Sequence, residues 1–448
     1  MTAPSHAAVF AKARRRLVPF CMLMLFLSIW DRTNVSLAAL QMNADIGLST
    51  AAFGLGAGIF FLAYALLEVP SNLLLAKVGP RVWLARIMLT WGLVTVATAA
   101  VQGPGSFYTV RVLLGVAEAG LMPGMIVYLS TWFPAEMRAR VISQFSIGAL
   151  LALLLGNPLS GWILSWTGPL PGWRWLFLVS GVATLVVGVA VLRFLPGSPA
   201  EARWLSPAER QVVESAGAAA EPGDHSLRTQ LAAFRVLVRQ PSLLAMTVVL
   251  FLLLTTGYAL TFFLPTLLKG FAGLDTTTIS LLVSVPPLIA VVACLIVGPL
   301  AERTRRHLTI LVVMCLIGAL GVLLMVPGES QLLLLVAGAA AIAIPTTAYT
   351  GVFWAVVTPR LGRAQTAAGT IALVNAVGIT GGFVGPFAFG WVLAANEGRL
   401  LATPPIVAGI LAACAVVLAA VGFAWRRGRD ESRVPVGLAA HDGGGQQA

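Results

Sequence analysis

A chain of 448 residues that is 58% hydrophobic and only 10% charged, with a mean hydropathy of +0.91, is too apolar for a water-soluble domain. Its net charge of +12 would suit a nucleic-acid binder, but no basic run is interleaved with aromatics, so the basic residues are read as serving orientation and anionic headgroups. The four cysteines, Cys21, Cys294, Cys315 and Cys414, all fall inside apolar runs, so neither a disulfide framework nor a metal site is expected.

The first sixteen residues end in Arg14-Arg15-Arg16, and the apolar run behind them, about 24 residues, is too long for a secretory signal core. Apolar runs of membrane-spanning length then recur. They predict helices near 17–40, 52–76, 82–101, 106–132, 141–165, 173–195, 243–268, 276–300, 308–327, 331–356, 364–394 and 403–425. Period-2 alternation is absent and backbone exposed to lipid must bond within its own segment, so the expected fold is an all-α polytopic membrane protein. Motifs recur at an offset of about 225 residues, which implies two six-helix halves in tandem. Lys77-Val78-Gly79-Pro80-Arg81 answers Arg303-Thr304-Arg305-Arg306-His307, and Pro134 to Arg138 with Gly161-Trp162 answers Pro359 to Arg363 with Gly390-Trp391.

The expected organisation is therefore a cytoplasmic tail over 1–16, an N-terminal half over 17–195, a cytoplasmic linker over 196–242, a C-terminal half over 243–426 and a disordered cytoplasmic tail over 427–448. Ser206 is an expected helix N-cap within the linker. With the N-terminus cytoplasmic, only Arg174, Lys269 and Arg399 of the 29 Lys and Arg fall outside, and Arg32 and Arg111 lie in the bilayer. That asymmetry places both termini inside a plasma (inner) membrane.

Charge inside the spans is scarce and therefore informative. The stretch Ser28-Ile29-Trp30-Asp31-Arg32-Thr33-Asn34 sets an acid and a base deep in the first span. A charge at that depth costs several kcal/mol unless paired or hydrated, which makes it a functional-site candidate. The other embedded acids are Glu68 and Glu118, and none of the four histidines lies in a span. A carboxylate must then carry any coupling proton, and Asp31 and Glu118 are the candidates at central depth. Arg111 and Glu118 are seven residues apart on one helix face, so a carboxylate–arginine cluster across the first and fourth spans is expected, with a static ion-pair staple as the alternative. Glu68, two residues before Pro70, reads more simply as a partner for backbone groups freed by the proline. An anionic substrate would need Arg32 or Arg111, whose planar forks match a carboxylate. Nothing supports enzyme chemistry, since there is no nucleophile–base pair, phosphate loop or metal-spaced cluster.

Six motifs in order identify a resemblance: Trp30-Asp31-Arg32-Thr33-Asn34, Glu68 to Asn72, Arg111 to Gly120, Tyr128 to Pro134, Gly172 to Phe177, and Ser198-Pro199 leading to Ala202-Arg203-Trp204-Leu205. The chain resembles the major facilitator superfamily, and within it the anion:cation symporter family of organic-anion carriers, relatives of sialin and of bacterial sugar-acid, tartrate and phthalate transporters. The resemblance implies twelve transmembrane helices and a proton-coupled symporter that imports a small organic carboxylate by alternating access, working as a monomer with no cofactor. It favours Arg32 as the substrate cation and adds Tyr64 and Asn375 as binding positions. It also marks Lys77, Arg81, Glu302 and Arg303 as gating-loop residues. Ala76 stands where the superfamily usually has an acid, so charge-relay gating is expected to be stronger at Glu302-Arg303. Ile29 stands where relatives often carry tyrosine, which leans slightly towards a less hydroxylated or aromatic carboxylate. The competing reading is a proton-antiport exporter of organic anions or drugs, echoed by Gly156-Asn157-Pro158 with Gly161.

Overall fold

The computed structural model describes residues 6–217, 234–235, 237–326, 331–361, 364–396 and 403–431. Helices group into twelve spans. The N-terminal six are α1 (His6–Asp45), α2 (Thr50–Val78), α3 (Pro80–Thr98), α4 (Pro104–Glu118) with α5 (Leu121–Ser130), α6 (Ala135–Leu151) with α7 (Asn157–Leu164), and α8 (Gly172–Phe194). After α9 (Pro207–Gly217) in the linker come α10 (Pro241–Lys269), α11 (Thr276–Val283) with α12 (Val285–Thr304), α13 (His307–Leu323), α14 (Leu332–Thr347) with α15 (Tyr349–Val357), α16 (Ala364–Ala395) and α17 (Thr403–Glu431). Nine of these spans are long and apolar enough among the described residues to cross a membrane by themselves; α1, α3 and the shorter α13 complete the twelve.

Two expected boundaries shift. The segment 1–16 was expected as a tail, but α1 is already helical from His6, because Val9, Phe10 and Ala13 are buried against the bundle. The 427–448 tail was expected to begin near Gly428, yet α17 continues to Glu431; residues 432–448 lie outside the described residues, as does 218–233 of the linker. Ser206 does cap α9: its hydroxyl accepts from the Glu209 N–H at 3.2 Å while Glu209 accepts from the Ser206 N–H at 2.8 Å, a reciprocal capping box.

The halves approach one another at the end remote from the termini. Gly54 and Gly58 of α2 lie against the Pro386 and Phe383 carbonyls of α16 so closely that neither position has room for a Cβ. Phe53 packs edge-on to Phe263 at 5.6 Å, and the Lys269 ammonium donates to the Leu40 carbonyl. These contacts continue inward as far as Phe61, whose ring lies 4.3 Å from that of Tyr258. At the termini end the linker is clamped to the N-terminal half: the Tyr128 hydroxyl donates to the Pro196 carbonyl at 3.0 Å, Trp204 stacks on Trp132 at 5.7 Å, and Lys12 pairs with Glu209 at 2.8 Å.

Candidate functional site

The site is built around the middle of α1, where successive polar residues point in different directions because a helix turns 100° per residue. Ser28 and Arg32, four apart, share the face towards α4. Arg32 Nη2 donates to Glu118 Oε1 at 2.5 Å, and the Ser28 hydroxyl donates to the same oxygen at 2.6 Å. Glu118 is 2% exposed and Arg32 14%, so the pair lies in a low-dielectric setting where losing either partner is expensive. Glu118 ends α4, and the chain then breaks at Gly120, which adopts φ 87°. Only glycine takes that conformation without strain. The freed Ala119 carbonyl accepts from the Ser71 hydroxyl at 2.6 Å, and Ser71 accepts from Trp83 Nε1 at 3.0 Å.

The Arg32 guanidinium is surrounded by rings, with Cζ 5.2 Å from Phe60, 5.8 Å from Phe61 and 5.1 Å from Tyr64. Aromatic faces are attracted to a cation there. Its Nε, though buried, has no hydrogen-bond partner among the described residues. The guanidinium thus has one edge donor bonded to Glu118 and another unmet, at the level where Phe61 meets Tyr258 of the other half.

Asp31 points elsewhere. It accepts from Trp91 Nε1 at 2.6 Å and Thr95 Oγ1 at 2.8 Å on α3, Ser180 Oγ at 3.1 Å on α8, and Asn34 Nδ2 at 3.2 Å on α1. The expected cluster across the first and fourth spans therefore forms between Arg32 and Glu118, and Asp31 lies outside it, one position round the helix. Arg111 is outside it too. Two of its donors are taken by backbone carbonyls of α2, Nε to Gly56 and Nη2 to Ala57, both at 3.1 Å, and its guanidinium lies 4.8 Å from the Phe60 ring. At 2% exposure, it staples α4 to α2 through these two donors.

Tyr64 is buried beside Arg32. Asn375 of α16 is half-buried, and no hydrogen bond to it is recorded among the described residues. Glu68 is half-buried on α2, near enough to Arg32 and Tyr64 to interact electrostatically. At the termini end, Arg81 donates to the Leu192 carbonyl and pairs with Glu201 at 3.5 Å, while Lys77 is exposed. In the second copy, among the described residues, Glu302 lies 3.8 Å from His307, and Arg303 is exposed. In the N-terminal loop, Glu201 of the linker supplies Arg81 with the acid that Ala76 does not.

Sequence reading missed Ser28 as the second donor to Glu118, although its i−4 spacing from Arg32 signals a shared face. It also missed Trp91, Thr95 and Ser180. Trp91 and Thr95 carry the same i, i+4 spacing on α3.

The Major Facilitator Superfamily profile matches residues 21–386. A protein of Agrobacterium vitis named as a tartrate transporter is 39% identical over 423 residues, covering 93% of this chain and 95% of that one. A quinolone resistance transporter of Acinetobacter baumannii is 36% identical over 378 residues, 84% of this chain and 86% of its own. Among solved structures, a bacterial homolog of the human lysosomal transporter Spinster, inward-facing and occupied, superposes with a TM-score of 0.70 at 18% identity, covering 93% of this chain and 97% of that one. That likeness shows the fold.

Proposed function

The chain belongs to the Major Facilitator Superfamily, and from that premise we propose a proton-coupled symporter that imports a small organic carboxylate by alternating access across the inner membrane, with both termini cytoplasmic. Its relatives are transporters, so it is a membrane carrier and not an enzyme. The carrying observation is the Arg32 guanidinium, held by Glu118 through one edge and unmet at Nε, among aromatic rings where the two halves meet.

While Glu118 is ionised it occupies the cation that a carboxylate substrate needs. Protonation cancels the ion pair and leaves Nη2 and Nε as a fork for the incoming anion, the bidentate geometry that favours arginine over lysine. Proton and substrate then bind with positive coupling, which must be reciprocal. The lysine and arginine bias puts the termini end in the cytoplasm. In that orientation the contacts of Gly54, Gly58, Phe53 and Lys269 close the outer side, and the site faces inward. Tartrate is the first substrate to test, given the Agrobacterium relative's name.

An exporter is the second reading, favoured by the Acinetobacter relative and by the broken fifth span, where a π-turn at Ala152–Gly156 precedes Asn157-Pro158. Purified protein in liposomes with an imposed pH gradient, offered tartrate and a panel of other carboxylates, separates the two. Symport predicts uphill uptake with alkalinisation of the medium on substrate addition. Proton release on substrate addition, or flux only out of an acid-outside vesicle, would replace symport with antiport.

A further inference from the structure

At the termini end of the C-terminal half, the start of α13 and the ends of α15 and α17 enclose a groove of 1090 Å³. Its mouth is basic: Arg305 and Arg306 are exposed and consecutive, His307 follows, and Arg360 stands on the opposite wall. Arg360 is positioned there by its own helix and by an aromatic face, since Nη1 donates to the Val356 carbonyl at 2.6 Å and the guanidinium lies 3.6 Å from the Trp425 ring. Among the described residues, the acid at the rim is Glu302, exposed and 3.8 Å from His307. Below the mouth the walls are apolar, formed by Leu308, Val312, Val356 and Leu418, with Phe423 58% exposed beside them. The exposed faces of Val313, Leu316, Leu320 and Val416 continue along α13 and α17.

Two further features mark the walls of the groove. Arg305 adopts φ 55°, the one non-glycine residue with positive φ among the described residues. It caps the end of α12, its N–H donating to the Ala301 carbonyl at 2.9 Å. Gly422 forms part of the floor: a Cβ built on it would meet only Leu308 Cδ1, at 3.5 Å. The corresponding end of the N-terminal half is filled by protein, with Trp204 on Trp132 and Arg81 bonded to Leu192 and Glu201.

We infer that this groove is a binding site for an anionic glycerophospholipid of the cytoplasmic leaflet, its phosphate against Arg305 and Arg306 and its acyl chains along the apolar faces of α13 and α17. Basic clusters between helices at the cytoplasmic surface recognise such headgroups. A free inorganic anion would use the same arginines but leave the apolar walls uncovered. The site rests on the cytoplasmic orientation of the termini end and is independent of what the carrier transports.

The test is native mass spectrometry of the purified full-length protein with dioleoyl phosphatidylglycerol and with dioleoyl phosphatidylethanolamine. Phosphatidylglycerol should be retained over phosphatidylethanolamine. Removing two arginines near the surface, in R305S/R306S, should lower its occupancy roughly 25-fold, from about fivefold per charge. Gly422→Leu keeps every charge and fills the groove, and it should also lose the lipid. Melting temperatures near wild type establish that each variant is folded, and either folded variant alone suffices. Equal retention of the two lipids would overturn the site, as would unchanged phosphatidylglycerol binding in a folded variant. Displacement by millimolar phosphate would assign the arginines to a free anion. Lipid binding seen only after deletion of 432–448 would assign the groove to the chain's own tail. Either result would overturn the lipid assignment.

Discussion

The two halves share a fold and divide the chemistry. Asp31, Arg32, Glu68, Arg111 and Glu118 all lie in spans of the N-terminal half, while the C-terminal spans carry charge only near their ends. Where the N-terminal half sets Arg32 against Glu118, the C-terminal half contributes Tyr258 and Phe262 against Phe61. A duplicated architecture therefore need not duplicate its chemistry: one half holds the buried ion pair while the other sets aromatic rings against it. Each half also completes its termini end differently among the described residues, the first with its own linker and the second with a basic groove.

The sharpest way to break this division is at Arg32. A lysine there keeps the charge but loses the planar fork, so substrate binding should weaken by roughly 10- to 150-fold, the loss of a charge-assisted hydrogen bond worth about 1.5–3 kcal/mol. Arg32→Ala should abolish it. Binding is read by calorimetry or thermal shift with a transported carboxylate. Unchanged affinity in Arg32→Ala would move recognition to the C-terminal wall, with Asn375 the first residue to examine.

Next in size is the pH response. With Glu118 as the competing anion, affinity should be higher in acid than in base, by a factor of about 5–150 for a coupling of 1–3 kcal/mol. Glu118→Gln cannot ionise, so it should bind tightly at all pH values and lose uphill transport while retaining exchange. If Glu118→Gln keeps the wild-type pH profile, the acid on Arg32 is a static staple.

Asp31→Asn should act on stability first. The Asp31 carboxylate accepts four hydrogen bonds, from Trp91, Thr95, Ser180 and Asn34. A carboxamide would turn an NH2 towards those donors, leaving polar groups unmet at a cost of about 1–3 kcal/mol. Unfolding measurements should show that loss while the pH dependence of binding persists. A flattened profile in Asp31→Asn would return the coupling proton to α1.

Much of this was legible in the sequence. Length and hydropathy fix the spans, and the scarcity of charge singles out Asp31, Arg32, Arg111 and Glu118, because burying a charge is expensive enough to leave few candidates. What the sequence could not supply was direction. Asp31 and Arg32 are adjacent, so a linear reading places them at one site, yet the helical turn between them sends one towards α3 and α8 and the other towards α4. Arg111 and Glu118 share a face, but the long arginine side chain finds carbonyls on α2 before it reaches the acid. Glu201, far from Ala76 in the chain, was invisible as its replacement because only folding brings the linker back to α3.

The smallest expected effect concerns the linker clamp on the N-terminal half. The hydrogen bond from Lys12, and then that from the Ser206 N–H, holds the Glu209 carboxyl below the usual carboxylate range. A depressed folded-state pKa means that this stabilisation is present above the unfolded value, near pH 4.3 for a glutamate, and is lost as pH falls through the lower folded value. The Lys12 side chain is 37% exposed and that of Glu209 17%, so solvent screens the pair and its coupling should stay below about 1 kcal/mol. A double-mutant cycle with Lys12→Met and Glu209→Gln, read by thermal unfolding at neutral pH, should return that small coupling, diminishing with added salt and vanishing in acid. A coupling well above that range at neutral pH, or one that survives acidification, would mean that the linker is held by packing around Trp132 and Trp204, with the ion pair only reporting a geometry set by those rings.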